Sequence, residues 1–486
     1  MRYFLITLIS IILTASCQLN KSSEGPPNIV FILADDLGWA DLPVYGNKFN
    51  EAPNLSKLAE EGMRFNNAYA ACPVCSPTRA SIQSGQYPAR VGITDFIRGH
   101  WRPYEEVTVP TNRTQYLPTE IETIAEKLKE AGYSTAYFGK WHLGWDDYEP
   151  LKQGYDEQAA YSGGGFYNYA EYIIPPREFP EGQILSEALT DLGIDFIESN
   201  QDNPFFLFLA HYDVHVQLDA QDELIRKYLD KEKVDGYTCN AVYAAMIENI
   251  DASVGRIEAK LKELDLEENT IVIFFSDNGG LRSRFDEIPL IEESKQHYYE
   301  GDSLLYIATT NTPLRREKGT VYEGGIREPF IVKWPGKIEA GVMNKSIVSS
   351  VDFYPTFLEI AGIEPPGEQV LDGHSIKNIL LANEEVYDRA IFWHYPVYHH
   401  DVPASAVRKG DYKLIENLVD GSVKLYNLSE DISESMDLSG SNQGKMNELY
   451  NILKTWQKDV KAEFPVKNPD FDPERRYEWG RHPDRK

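Results

Sequence analysis

Unbroken apolar runs, rather than alternating ones, set the pattern of the first half of the chain. Residues 28–34 read Asn-Ile-Val-Phe-Ile-Leu-Ala, residues 204–210 Pro-Phe-Phe-Leu-Phe-Leu-Ala, and residues 270–275 Thr-Ile-Val-Ile-Phe-Phe. A strand with water on one face alternates apolar and polar positions, whereas a strand covered on both faces does not, so these runs predict central strands. Between them the period changes. Residues 119–131 place Ile121, Ile124, Ala125, Leu128 and Ala131 on one face of a helix that should stop at Gly132. Thr135 to Phe138 then form a further strand, and residues 240–264 a long helix. Strands alternating with helices predict an α/β fold with a large, mostly parallel central sheet flanked by helices.

In such a sheet, chemistry collects beyond the carboxyl ends of the strands. Four runs deliver polar residues there: Asp35-Asp36, then Lys140 and His142, then His211 and His215, then Ser276-Asp277-Asn278-Gly279-Gly280. Beyond residue 385 the character shifts to short alternating stretches, such as Arg389-Ala390-Ile391-Phe392-Trp393 and Tyr412-Lys413-Leu414-Ile415, before an amphipathic pattern at 444–461. These predict a smaller antiparallel sheet with one helix and a mobile polar tail, giving a catalytic domain over 28–385 and a C-terminal subdomain over 386–486.

The N-terminus carries its own pattern. Arg2 precedes an apolar run from Tyr3 to Leu13, too short to span a bilayer, followed by Thr14-Ala15-Ser16-Cys17. This reads as an export signal over 1–17. The segment Leu13 to Cys17 resembles a relaxed lipobox, in which Cys17 would carry a lipid anchor, with 18–27 as a polar tether. Plain cleavage of the signal is the alternative. The expected location is the periplasm, or an outer-membrane lipoprotein.

Composition narrows the function. The 486 residues are 42% hydrophobic and carry a formal net charge of -28, which excludes a basic nucleic-acid footprint. A negatively charged substrate would meet that charge too, so its site must concentrate basic residues locally. Cys17, Cys72, Cys75 and Cys239 are the only cysteines, too few for a disulfide scaffold. Cys72 and Cys75 have C-x-x-C spacing, but no second such pair completes a zinc site. Asp35, Asp36, Asp277 and Asn278 offer an all-oxygen donor set suited to calcium or magnesium, although either pair alone is also ordinary turn chemistry.

The segment Cys75-Ser76-Pro77-Thr78-Arg79, running on to Ser84-Gly85, resembles the signature of the formylglycine-dependent sulfatases of the alkaline phosphatase superfamily. Gly139-Lys140-Trp141-His142-Leu143-Gly144, Ser276-Asp277-Asn278-Gly279-Gly280, Lys318-Gly319 and Tyr322-Glu323-Gly324-Gly325-Ile326-Arg327 resemble further blocks of that family in the same order. The resemblance implies that a maturation enzyme oxidises Cys75 to formylglycine (3-oxoalanine). One hydroxyl of the hydrated aldehyde would attack sulfur, and the other would expel sulfate. It also implies one calcium ion held by Asp35, Asp36, Asp277, Asn278 and the matured Cys75. Arg79 would steady the hydrate, Lys140 and Lys318 would bind sulfate, His142 would be the base, and His215 would protonate the leaving sugar oxygen.

The family carries a proline where this chain has Gln217, which keeps His211 as a second candidate acid. Arg98, His100, Arg102, His394, His399 and His400 are candidate sugar contacts or plain surface groups. The expected substrate is a sulfated carbohydrate, from algal polysaccharide such as ulvan or carrageenan, or from glycosaminoglycan. The competing readings are a phosphoester or phosphonate hydrolase of the same superfamily, and a silent glycan-binding lipoprotein in which Cys75 stays a thiol.

Overall fold

The computed structural model describes residues 25–163, 166–284 and 288–482. The export signal, Cys17 and most of the tether lie outside the described residues. In chain order the strands are β1 (Asn28–Ala34), β2 (Met63–Tyr69), β3 (Val107–Thr108), β4 (Ser134–Lys140), β5 (Glu157–Tyr161) and β6 (Ile173–Ile174). They continue with β7 (Phe205–Ala210), β8 (Thr270–Ser276), β9 (Phe330–Lys333), β10 (Val342–Ser349), β11 (Ala390–Tyr395) and β12 (Ala404–Lys409). The last three are β13 (Tyr412–Asn417), β14 (Val423–Asn427) and β15 (Val466–Lys467).

Nine strands make the central sheet, in the order β10-β2-β9-β8-β1-β7-β4-β5-β6. β1 lies at its middle, parallel to both β7 and β8, and β4 is parallel to β7 and β5. Antiparallel pairing involves β9, which sits between β8 and β2, and the edge strand β6. The unbroken apolar run of β1 has the expected cause. Val30 and Ile32 enter one core with the helices Leu185–Ser199 and Ala241–Glu263, while Ile29, Phe31 and Leu33 enter the other with Ile124–Glu130 and Phe353–Ala361.

Side-chain caps fix the starts of two helices that the sequence pattern predicts. Asn240 Oδ1 accepts from the amides of Val242 and Tyr243 and starts the helix Ala241–Glu263, one residue inside the expected span. The helix expected over 119–131 is shorter, Ile124–Glu130. Thr123 and Glu126 form a capping box that fixes its start, and Ile121 packs against the same core from the turn before it.

The C-terminal sheet is antiparallel in the order β11-β12-β13-β14. One face, with Val407, Leu414 and Leu425, packs on Leu449, Leu453 and Trp456 of the helix Gln443–Asp459. The other face, with Ile391, Trp393 and Tyr426, packs on Tyr69, Cys72 and Val74 of the large domain. Residues after that helix, expected to be a mobile tail, instead dock on the large domain: β15 pairs antiparallel with β3, and Asn468 Nδ2 donates to the carbonyls of Pro103 and Glu105 at 2.8 and 2.7 Å.

A fully buried ionic joint links the two units. Lys413 lies 2.8 Å from Glu323 and 2.9 Å from Glu434, and Glu323 also receives Arg327 at 2.7 Å. Replacing Lys413 by alanine leaves the buried Glu434 without its cation and Glu323 with Arg327 alone, so Lys413→Ala is expected to lower unfolding stability by about 3–5 kcal/mol in denaturant melts. A loss indistinguishable from that of an exposed lysine, such as Lys57→Ala, would contradict the joint's structural role.

Candidate active site

The site is built from the carboxyl ends of β1, β2, β4, β7 and β8. The register Ala34↔Ser276 between β1 and β8 sets Asp35 beside Asp277, and the Asp277 amide donates to the Ala34 carbonyl at 3.1 Å. Beyond β2 the chain turns into the helix Cys75–Ser84, whose first residue is Cys75. Thr78 Oγ1 donates to the Cys72 carbonyl at 2.9 Å and the Ala71 amide donates to Ser350 Oγ at 3.0 Å, which fixes the entry to that helix. Gly139, in β4, has φ 112, and a Cβ there would stand 1.8 Å from the Ala210 carbonyl oxygen. Only glycine lets β4 deliver Lys140 and His142 this close to β7. Gly279 works likewise: a Cβ would meet the Gly324 carbonyl oxygen at 2.0 Å, so the Asp-Asn-Gly-Gly and Glu-Gly-Gly segments touch backbone to backbone.

Six charged side chains interlock out of water. Lys140 bonds Asp35, and Lys318 bonds both oxygens of Asp36 at 2.6 and 2.8 Å. Arg79 holds Asp277 Oδ2 through Nε at 2.9 Å and Nη2 at 2.7 Å, and donates to the Lys140 carbonyl. Burial alone would raise the pKa of Asp35 and Asp36, but the nearby cations, Lys140 for Asp35 and Lys318 for Asp36, hold both below the usual carboxylate range. Asp277 is pushed up to about 7, by burial and then by the charge of Asp35, against the pull of Arg79.

Two buried oxygens, Asp35 Oδ1 and Asn278 Oδ1, have no hydrogen-bond partner. An orphaned buried acceptor is costly. With the crowded carboxylates, this is the setting that a hard divalent cation would complete, and ligand atoms of Asp35, Asp36 and His215 lie within 4.8 Å of one another. The oxygen set Asp35, Asp36, Asp277 and Asn278 therefore fits such an ion.

Cys75 Sγ lies 3.2 Å from His142 Nδ1, while His142 Nε2 contacts the Ile97 carbonyl. A carbonyl can only accept, so Nε2 carries the hydrogen and Nδ1 turns its lone pair to residue 75. Burial, reinforced by Lys140, holds His142 well below the usual imidazole range, so it is neutral and able to take a proton. His215 is lowered to about 4 by burial and Lys140. Its Nδ1 lies 2.6 Å from the Val216 carbonyl, leaving Nε2 directed at Asp36 Oδ2, 3.6 Å away. Burial pushes the Cys75 thiol up, despite Lys140 and Lys318, so the unmodified side chain is a protonated, weak nucleophile.

These groups open into a cavity of about 670 Å³ lined by Cys75, Lys140, His142, His215 and Lys318. In a chain of net charge -28, the lining contains Arg98, Lys140, Arg284 and Lys318 and, among the described residues, no carboxylate.

Comparison with known proteins agrees with this geometry. The sulfatase family model matches residues 27–363, and the model of the N-sulphoglucosamine sulphohydrolase C-terminal region matches residues 316–463. The chain belongs to the sulfatase family. Members are sulfuric ester hydrolases, and so is this protein. It is 32% identical to a sulfatase of Formosa agariphila, over 91% of each chain. It is 34% identical to N-acetylgalactosamine-6-sulfatase of Rattus norvegicus, over 83% of this chain and 74% of the relative. The crystal structure of Ps i-CgsB superposes with a TM-score of 0.74 at 29% identity, covering 92% of this chain and 94% of the other. The same protein has been solved in complex with k-i-k-neocarrahexaose.

The structure brings Asp35, Asp36, Cys75, Arg79, Lys140, His142, His215, Asp277, Asn278 and Lys318 into one place. His215 lines the cavity despite Gln217 two residues on. His211 does not: it is fully buried, with Nε2 2.9 Å from Ser253 Oγ. Of the other candidates, Arg98, His100, His399 and His400 line the cavity. Arg102 stands behind it, and His394 is tied to Ser405 and the Glu463 carbonyl in the C-terminal sheet. Cys72, Cys75 and Cys239 are buried free thiols, so the C-x-x-C spacing makes no disulfide. Tyr212, Trp145 and Trp479 line the cavity without having been singled out from sequence. Trp145 and Tyr212 adjoin motif residues, which was a usable signal; Trp479, in the distant tail, offered none.

The Asp277 carboxyl supplies a test of cation binding. Its pKa in the folded, cation-free protein is about 7, above its ordinary 3.8. Its protonation therefore favours folding fully below the unfolded value, and that contribution is lost as pH rises through about 7. A cation must displace that proton in acid but not above neutrality. Calcium is thus expected to raise the melting temperature more at pH 8 than at pH 6, read by scanning fluorimetry against EDTA, with the difference abolished in Asp277→Asn. An equal gain at both pH values would contradict it.

Proposed function

We propose that this sulfatase removes sulfate esters from a carbohydrate, using formylglycine formed at Cys75 and one calcium ion. The observation that carries the reading is the cavity itself: lysines and arginines line it in a chain that is otherwise acidic, and residue 75 lines it beside a neutral histidine. The names of the relatives and the neocarrahexaose complex of Ps i-CgsB support a sulfated oligosaccharide of carrageenan or glycosaminoglycan type. We further propose export through residues 1–17 with a lipid anchor at Cys17, which would place the enzyme in the periplasm or on the outer membrane where such glycans arrive.

Asp35, Asp36, Asp277 and Asn278 would hold the calcium ion, which supplies Lewis-acid polarisation of the sulfate oxygens when bound. The aldehyde at residue 75 supplies, as its hydrate, a nucleophile whose sulfated form can collapse without a second difficult displacement. The chain's own groups do the rest. Lys140 and Lys318 line the cavity with their ammonium groups on Asp35 and Asp36, so they can neutralise sulfate without moving far. Arg79 is clamped by Asp277 beside the helix start that carries residue 75. His142 Nδ1 is placed to take a proton from a hydroxyl at residue 75. Burial, and then Lys140, lower His215 to about 4, so it is neutral in the free enzyme and has to gain a proton in the substrate complex before it can protonate the leaving oxygen.

Peptide mass spectrometry of protein expressed with a maturation enzyme should find an aldehyde in place of the Cys75 thiol, and Cys75→Ala should release no sulfate. Folded, co-expressed protein that keeps the thiol and still hydrolyses sulfate esters would sink the formylglycine mechanism; a thiol without activity would favour a binding protein.

For His215→Ala, kcat on a sugar sulfate should fall roughly 10²–10⁴-fold, as for loss of a general acid. The fall should be much smaller on an aryl sulfate, whose phenolate leaves without a proton. Equal losses on the two substrates would remove His215 from that role.

A further inference from the structure

One wall of the active-site cavity comes from a part of the chain that neither family model covers. Those matches end at residue 463, yet Trp479 lines the cavity together with Cys75 and Lys318. The tail that carries it is fixed at several points. β15 pairs with β3, the Asp472 amide donates to the Tyr104 carbonyl at 3.1 Å, and the Gly480 amide donates to the Trp101 carbonyl at 3.0 Å. Arg476 meets Glu105 at 2.9 Å, and Arg475 lies over the Tyr104 ring at 3.6 Å. A Cβ at Gly480 would stand 3.0 Å from the Trp101 ring, so the chain next to Trp479 is seated closely.

The indole is placed as a platform. The Arg102 guanidinium lies 4.4 Å from its ring centroid, and the residue is itself buried. Trp479 nevertheless keeps 37% of its surface exposed, unusual for a tryptophan held at so many neighbouring points. From it a row of rings leads inward: Trp479 to His100 at 5.2 Å, His100 to His399 at 4.1 Å, and His399 to His400 at 4.4 Å, where His400 Nδ1 lies 2.7 Å from the Lys318 carbonyl. The row joins the rim of the cavity to Lys318, which also lines it. An anion needs only the cations at the floor. Flat aromatic faces at the rim suit the apolar C–H face of a pyranose ring, which hydrogen-bonds at its edges and stacks on its face.

We propose that Trp479, backed by Arg102 and adjoined by His100, forms a sugar subsite that binds the pyranose adjoining the sulfated residue of an oligosaccharide. The tail thereby sets specificity for sulfated oligosaccharides over small sulfate esters. This rests on the reading of the protein as a carbohydrate sulfatase, and its test separates the two.

Binding is measured by calorimetry on Cys75→Ala protein, which cannot turn over, with carrageenan and chondroitin sulfate tetrasaccharides as probes. Adding Trp479→Ala should weaken the tighter-binding probe roughly tenfold, and Trp479→Phe, which keeps a ring, should restore most of the affinity. In matured enzyme, Trp479→Ala should raise KM for that oligosaccharide with little change in kcat, and should affect an aryl sulfate several-fold less. Unchanged oligosaccharide affinity in Trp479→Ala would overturn the subsite, as would equal losses on oligosaccharide and aryl sulfate. If the matured wild type released no sulfate from any probe, the sulfatase reading would fail, while the Trp479 contrast in binding would still decide the subsite.

Discussion

The constraint on which the rest of this structure depends is the burial of three carboxylates and three cations together at the ends of the central strands. Asp35, Asp36 and Asp277 are essentially inaccessible, and Arg79, Lys140 and Lys318 nearly so. Removing so many charges from water is expensive, and mutual attraction recovers the cost only when the geometry is well fixed. The fold provides that fixity by neighbouring register: β8, β1, β7 and β4 stand side by side, and the chain at or just beyond the end of each supplies a member of the site. The two glycine positions, Gly139 and Gly279, are places where a side chain would push that assembly apart.

Much of this was legible in the sequence because the same physics acts on both. A strand buried on both faces cannot alternate, so β1, β7 and β8 announced themselves by composition, and their polar termini could be read as strand ends pointing to a common site. What could not be read was anything set by contacts between distant segments. The helix expected from residue 119 begins at Ile124 because Thr123 and Glu126 cap each other, a local chemistry that competes with hydrophobic periodicity. His211 and His215 both follow β7, but the first turns into the core against Ser253 and the second lines the cavity. The polarity of the tail suggested mobility; what holds it are backbone bonds to the 101–109 loop, which leave no periodic trace in either segment.

The C-terminal sheet acts on the site through packing. Its inner face covers Cys72 and Val74, immediately before Cys75, and the Trp393 indole donates to the Ala70 carbonyl at 2.8 Å. Lys413 on β13 meets Glu323 and Glu434, so the Glu-Gly-Gly segment that backs the Asp277 turn is itself clamped by the small sheet. The helix start bearing residue 75 and the turn bearing Asp277 and Asn278 are thus both braced from the same side. Fixed donors are worth more to catalysis than flexible ones, because nothing has to reorganise when charge moves.

The overall acidity of the chain then takes on a meaning that composition alone did not give. A net charge of -28 would repel a sulfated glycan at long range, yet the cavity presents arginine, lysine and histidine without a carboxylate among its described lining. Long-range repulsion between exposed charges decays over about 8 Å at physiological ionic strength, whereas contacts inside a partly enclosed cavity are screened far less. Selection for the anion therefore happens only after it has entered. On the proposed function, a surface that discourages loose adhesion of polyanions, joined to a cavity that would hold one sulfate closely, separates nonspecific attraction from specific binding. The aromatic rim fits that logic, since stacking on a neutral sugar face adds affinity that the surrounding negative charge cannot cancel.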